Sequence, residues 1–147
     1  MILNDLKGRC VEIVHDLYPN MKIYSMAVTE NFKRPAIFMV LEPMVAEPTN
    51  YNSRHNLFTL YITLFQKVID EYEALDFIEN IRDTFGLSIK VGDRAVKVVD
   101  FSYDFTGTNR NIPEISLDLE WYDRISHQET ADLMETAVIN QNLEEEY

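Results

Sequence analysis

The sequence predicts an α+β domain: a mostly antiparallel sheet of about five to six strands, two helices packed on one face, and a C-terminal arm. Three observations carry this expectation. Leu3, Leu6, Cys10, Ile13, Val14 and Leu17 recur at the spacing of one helical face, and so do Tyr72, Leu75, Ile78, Ile81 and Phe85. Between and after these stretches, residues 57–66 and 112–122 alternate apolar with polar side chains, the period of a half-buried strand. Finally, 46% hydrophobic residues and only four glycines describe a globular chain rather than a disordered one.

In chain order, the first helix is expected over 3–17, with Asn4 or Asp5 as its cap and Tyr18, Pro19 and Asn20 as its stop. Gly8 in its interior costs about 1 kcal/mol relative to alanine. Strands follow over 21–28 and 35–41, with Pro35 at the entrance, where a missing amide donor does least harm. Residues 42–56 hold Pro43, Pro48 and several asparagines without a period, and read as a long loop. In the strand over 57–66, Phe58, Leu60, Ile62 and Leu64 face the core, and Thr59, Tyr61 and Thr63 face away. Asp70 and Glu73 form a capping-box pair for the second helix, which Gly86 ends. Strands over 87–91 and 94–105 flank the hairpin signal Gly92-Asp93, and the run Phe-Thr-Gly-Thr-Asn-Arg at 105–110 is a second reversal. The last strand, 112–122, sets Ile115, Leu117, Leu119 and Trp121 against Glu114, Ser116, Asp118 and Glu120. The domain is placed at 1–123. Residues 124–147 form the arm, where Ser126 and Glu129 cap a short stripe of Leu133, Met134, Ala137 and Val138 before an acidic end.

The chemistry of the chain excludes more than it suggests. A net charge of −12 repels a nucleic-acid backbone, and Lys33 with Arg34 is the only basic cluster. His15, His55 and His127 stand far apart, without metal-ligand spacing, and each reads as a surface or capping histidine. Cys10 lies in an apolar stripe and reads as a buried, inert thiol. No phosphate loop or nucleophile elbow is present, so no catalytic, cofactor or metal residue is assigned. No stretch has the length of a membrane span, and the N-terminus lacks a secretory pattern, so synthesis in the cytoplasm is expected. Asp100, Asp104, Glu114, Asp118 and Glu120 form an acid ladder on two adjacent strands. A solvated sheet face accounts for it. A hydrolytic enzyme using Asp100, Asp104 and Glu114, or an acidic adaptor that mimics nucleic acid toward a basic partner, are the rival readings.

The order of helix, two strands joined by a basic loop, and a third long strand is written as KIYSMAVTENFKRPAIFMVLEP at 22–43, followed by LFTLYITLFQ at 57–66. This layout, with Phe-Lys-Arg-Pro-Ala-Ile-Phe at 32–38, resembles the small tail terminator proteins of bacteriophages and phage-derived tail particles of Gram-positive bacteria. The resemblance implies a structural virion protein without cofactors that caps the tail tube as a hexameric ring, stops tube growth and offers a docking surface to the head connector. Its implied partners are copies of itself, the tube protein and, further, a sheath protein and the connector. DNA passes through without specific binding, and the implied location is the tube end of the virion tail. Candidate contact residues are Phe32, Lys33, Arg34, Tyr51 and Arg54 in the loops, and Leu133 and Met134 in the arm; the acid ladder is the candidate channel lining.

Overall fold

The computed structural model of the chain describes residues 3–25 and 33–124. Its elements are α1 (Leu3–Leu17), β1 (Lys22–Tyr24), β2 (Ala36–Asn50), β3 (Ser53–Phe65), α2 (Glu71–Phe85), β4 (Ser88–Val91), β5 (Arg94–Thr106) and β6 (Ile112–Arg124). The strands make one six-stranded sheet in the order β1-β2-β3-β6-β5-β4. Neighbours run antiparallel except β1, which lies parallel to β2 at Ala36, Ile37 and Phe38. The α+β class is therefore as the sequence predicts, with a mixed edge.

Period-2 alternation fixes the two faces. In the centre of the sheet Phe58 lies opposite Leu119, Leu60 opposite Leu117 and Ile62 opposite Ile115, with Met39 and Ile37 continuing the rows onto β2. These side chains are buried together with Leu6, Cys10, Ile13 and Val14 of α1 and Phe77, Ile78, Ile81 and Phe85 of α2, so both helices lie on this face. Burial of Cys10 pushes its thiol up to about 12, against the pull of Lys7 and Arg9, and keeps it protonated at neutral pH.

Helix α2 begins at Asp70, whose carboxylate accepts the Tyr72 amide at 3.1 Å. Glu73 does not close the capping box directly. Gln66, buried at the end of β3, donates to Glu73 Oε1 at 2.7 Å and to the Asp70 carbonyl at 3.0 Å, and accepts from the Asp70 amide at 3.5 Å. Gly86 ends the helix at φ 59°, its amide bonding the Arg82 carbonyl.

Residues 42–56 are not a loop. β2 and β3 run through them as one long hairpin that turns at Tyr51 and Asn52, where Asn50 Oδ1 accepts the Asn52 amide at 2.7 Å. The prolines that suggested a loop are tolerated because β2 is an outer strand here: among the described residues nothing pairs with it beyond Phe38. Register shifts follow Pro43 and Pro48 and absorb the break each makes in the ladder. The strand expected over 21–28 is described only as Lys22–Tyr24. Phe32 and the arm beyond Arg124, with Leu133 and Met134, lie outside the described residues, while Arg124 itself ends β6 opposite Ser53.

Two glycines should respond to alanine with opposite signs. Gly8 is exposed within α1 and has no atom within 4 Å of an added Cβ. Gly8→Ala should therefore stabilise by about 0.5–1 kcal/mol in urea denaturation. Gly107 opens the β5–β6 turn at φ 90°, and an added Cβ would meet Ile112 Cδ1 at 2.9 Å. Gly107→Ala should destabilise by about 1–3 kcal/mol in the same measurement.

Candidate functional site

The face of the sheet away from the helices is divided. On the β1–β3 side it is aromatic: Tyr24 packs on Phe38 at 5.2 Å between ring centroids, and Phe38 on Phe65 at 5.1 Å. Arg34 belongs to this cluster, lying 5.2 Å over the Phe65 ring and donating to the Gln66 carbonyl at 3.3 Å. Next to it, the Lys33 amide donates to the Tyr24 hydroxyl at 3.3 Å.

On the β6–β5 side the face is acidic, and all five ladder residues meet there. Asp104 lies directly opposite Glu114 and Asp100 opposite Asp118, while Glu120 faces Lys97. Like charges in directly opposed positions destabilise a strand pair. Hydrogen bonds draw each pair apart: Glu114 and Asp118 accept from Thr63 at 3.5 Å and Thr59 at 2.8 Å on β3, while Asp100 and Asp104 accept from the amides of Phe101 at 2.9 Å and Phe105 at 2.8 Å on their own strand. Glu120 also leans toward β3, meeting His55 Nε2 at 2.7 Å, and His55 stacks on Tyr122 at 4.8 Å. Asp100 and Asp104 are exposed to water, an arrangement without the apolar enclosure that catalytic carboxylate pairs use. Among the described residues no group of histidine, cysteine and carboxylate side chains is arranged to hold a metal.

The remaining candidates do not gather in one place. Tyr51 is exposed at the hairpin tip, and Arg54 lies just beyond it. Residues 54 and 66 are separated along β3 by about 40 Å, so the Arg34 cluster and the hairpin tip mark opposite ends of the sheet. Arg54 borders an open cleft of about 390 Å³ with Leu3, Pro48, Phe58, Trp121 and Asp123.

A polar network at this end was missed from the sequence. Asp123 accepts from Arg94 Nη1 at 2.6 Å, Asn56 Nδ2 at 3.1 Å and Trp121 Nε1 at 3.1 Å. Arg94 also donates to the Tyr122 carbonyl. Burial alone would raise the Asp123 carboxyl; hydrogen bonds, those from Arg94 and Trp121 among them, outweigh it and hold the group below its ordinary value. The available signal was the alternation of β3, which continues back from Phe58 to Asn56 and places that asparagine on the core face.

The sequence matches the family described as phage tail terminator protein over residues 5–131. One solved structure superposes with a TM-score of 0.53 at 12% sequence identity, covering 88% of this chain and 99% of that one. At this identity the likeness speaks for the fold alone. No curated protein matches the sequence.

The Asp123 network should be acid-labile. Because its folded value is lowered, its stabilisation is present above the unfolded value of about 4 and is lost as pH falls through the folded one. Asp123→Asn should lower stability near neutrality and flatten the loss of stability as pH falls below about 4. The fluorescence of Trp121, the single tryptophan, followed through urea titrations checks both effects.

Proposed function

The chain belongs to the phage tail terminator family, structural proteins of tail assembly in the virion tail, and on that premise we propose that it caps the end of a tail tube as a homo-oligomeric ring. The ring, a hexamer, stops tube polymerisation and offers the surface on which the head connector docks. The observation that carries this reading is the family match, which spans nearly the whole chain. No helix among the described residues is long and apolar enough to cross a membrane.

Ring contacts are assigned to the ends and the β2 edge of the sheet. Lys33 and Arg34 serve at one end and Tyr51 and Arg54 on the projecting hairpin at the other; Phe32, Leu133 and Met134, which lie outside the described residues, are assigned from the sequence alone. The open edge of β2 beyond Phe38 suits this role, since an outer strand presents backbone donors and acceptors to a neighbour. Asp100, Asp104, Glu114, Asp118 and Glu120 line the channel and repel DNA over about a Debye length. The tube protein is the second partner, with a sheath protein and the connector beyond it.

Tails assembled without this protein should be irregular in length and lack heads, and purified protein should restore both. Protein that never appears at tube ends in electron micrographs and stays monomeric in light scattering overturns the ring. Exchanging Glu114, Asp118 and Glu120 for lysine should leave rings intact and slow DNA ejection, because each new cation makes a phosphate contact; ejection at the normal rate removes the channel role and leaves the ring standing. Truncation after Arg124 should leave a folded domain by circular dichroism, with ring assembly weakened.

A further inference from the structure

The acids of β5 have a geometric property that those of β6 lack: each bonds the backbone of its own strand. β4 pairs with β5 only from Arg94 to Lys97, and the Val98 amide adds a last contact to the Leu87 carbonyl at 2.8 Å. From there to Thr106, β5 is an outer edge among the described residues. Phe105 lies opposite Pro113, which has no amide hydrogen to give, so this pair cannot exchange two backbone hydrogen bonds. By alternation Phe101, Tyr103 and Phe105 all turn their amides outward. Two of these three are the amides that Asp100 and Asp104 cap, at 2.9 and 2.8 Å.

We infer that Asp100 and Asp104 are edge guards, whose carboxylates occupy the outward amides of β5 and close that edge to strand addition by a second copy of the chain. A second copy is the strand excluded, because β2 beyond Phe38 is also an open edge among the described residues. Pairing β5 of one copy with β2 of the next would be a head-to-tail contact, which runs on into filaments unless its rotation closes. A carboxylate on the edge opposes this twice: it fills the donor an incoming strand needs, and it would be desolvated without a partner. The guards leave β2 as the edge available for assembly, but this inference stands without the ring.

The test compares Asp100→Ala/Asp104→Ala with Asp100→Asn/Asp104→Asn. Asparagine keeps the accepting oxygen and removes the charge, so the second pair separates capping from repulsion. Hydrogen exchange should be about tenfold faster at the Phe101 and Phe105 amides in the alanine pair and near wild type in the asparagine pair. At concentrations where the wild-type sedimentation coefficient is constant, the alanine pair should form larger, concentration-dependent species, and the asparagine pair should not. Unchanged exchange and sedimentation in the alanine pair would overturn the inference. Association of the asparagine pair to the same extent as the alanine pair would also overturn it, by showing that charge alone guards the edge.

Discussion

The register of β3 against β6 is the constraint on which the rest of this molecule depends. These two strands lie at the centre of the sheet, and their pairing sets Phe58, Leu60 and Ile62 against Leu119, Leu117 and Ile115 beneath the helices. The same pairing sets Thr59 and Thr63 against Asp118 and Glu114 on the other face. A slip of β6 by one residue would turn its whole apolar row to water and drive Glu114, Asp118 and Glu120 under α1 and α2. Each buried unpaired carboxylate would cost several kcal/mol. The apolar row and the acid row therefore specify one register from both sides.

Given that register, the acids become a problem of local geometry. β5 inherits its alignment from β6, and that alignment brings Asp100 and Asp104 opposite Asp118 and Glu114. The face tolerates the juxtaposition because its hydrogen bonds pull outward, with threonines of β3 taking the β6 acids and backbone amides of β5 taking the others. At the hairpin end, Asp123 joins β3, β5 and the end of β6 through Asn56, Arg94 and Trp121. A carboxylate that is mostly withdrawn from water and bonded to a guanidinium stabilises through charge-assisted hydrogen bonds that an exposed pair does not match.

This distribution suits a protein whose work is assembly. A tail terminator subunit acts through its boundaries, and here these differ in kind: an aromatic cluster holding Arg34, a projecting hairpin, an open strand with prolines, and an edge whose amides are filled by carboxylates. The two outer strands of one sheet thus present different chemistry to a neighbour, one with an open backbone and one with carboxylates on its outward amides.

Period and punctuation in the sequence alone determined both helices, the buried rows of β3 and β6, the Gly92 and Gly107 turns and the inert setting of Cys10. These follow from near-neighbour rules, in which each residue's role depends on residues a few positions away. Residues 42–56 defeated those rules, because whether a proline can sit in a strand depends on whether another strand lies beside it. The partner of an acid is equally invisible along the chain. Asp100 and Asp118 were legible as members of one ladder, but only the cross-strand register placed them face to face, and only side-chain geometry turned one toward Thr59 and the other toward its own backbone. Arg94 and Asn56 were separated from Asp123 by 29 and 67 residues, and tertiary structure alone brought them together.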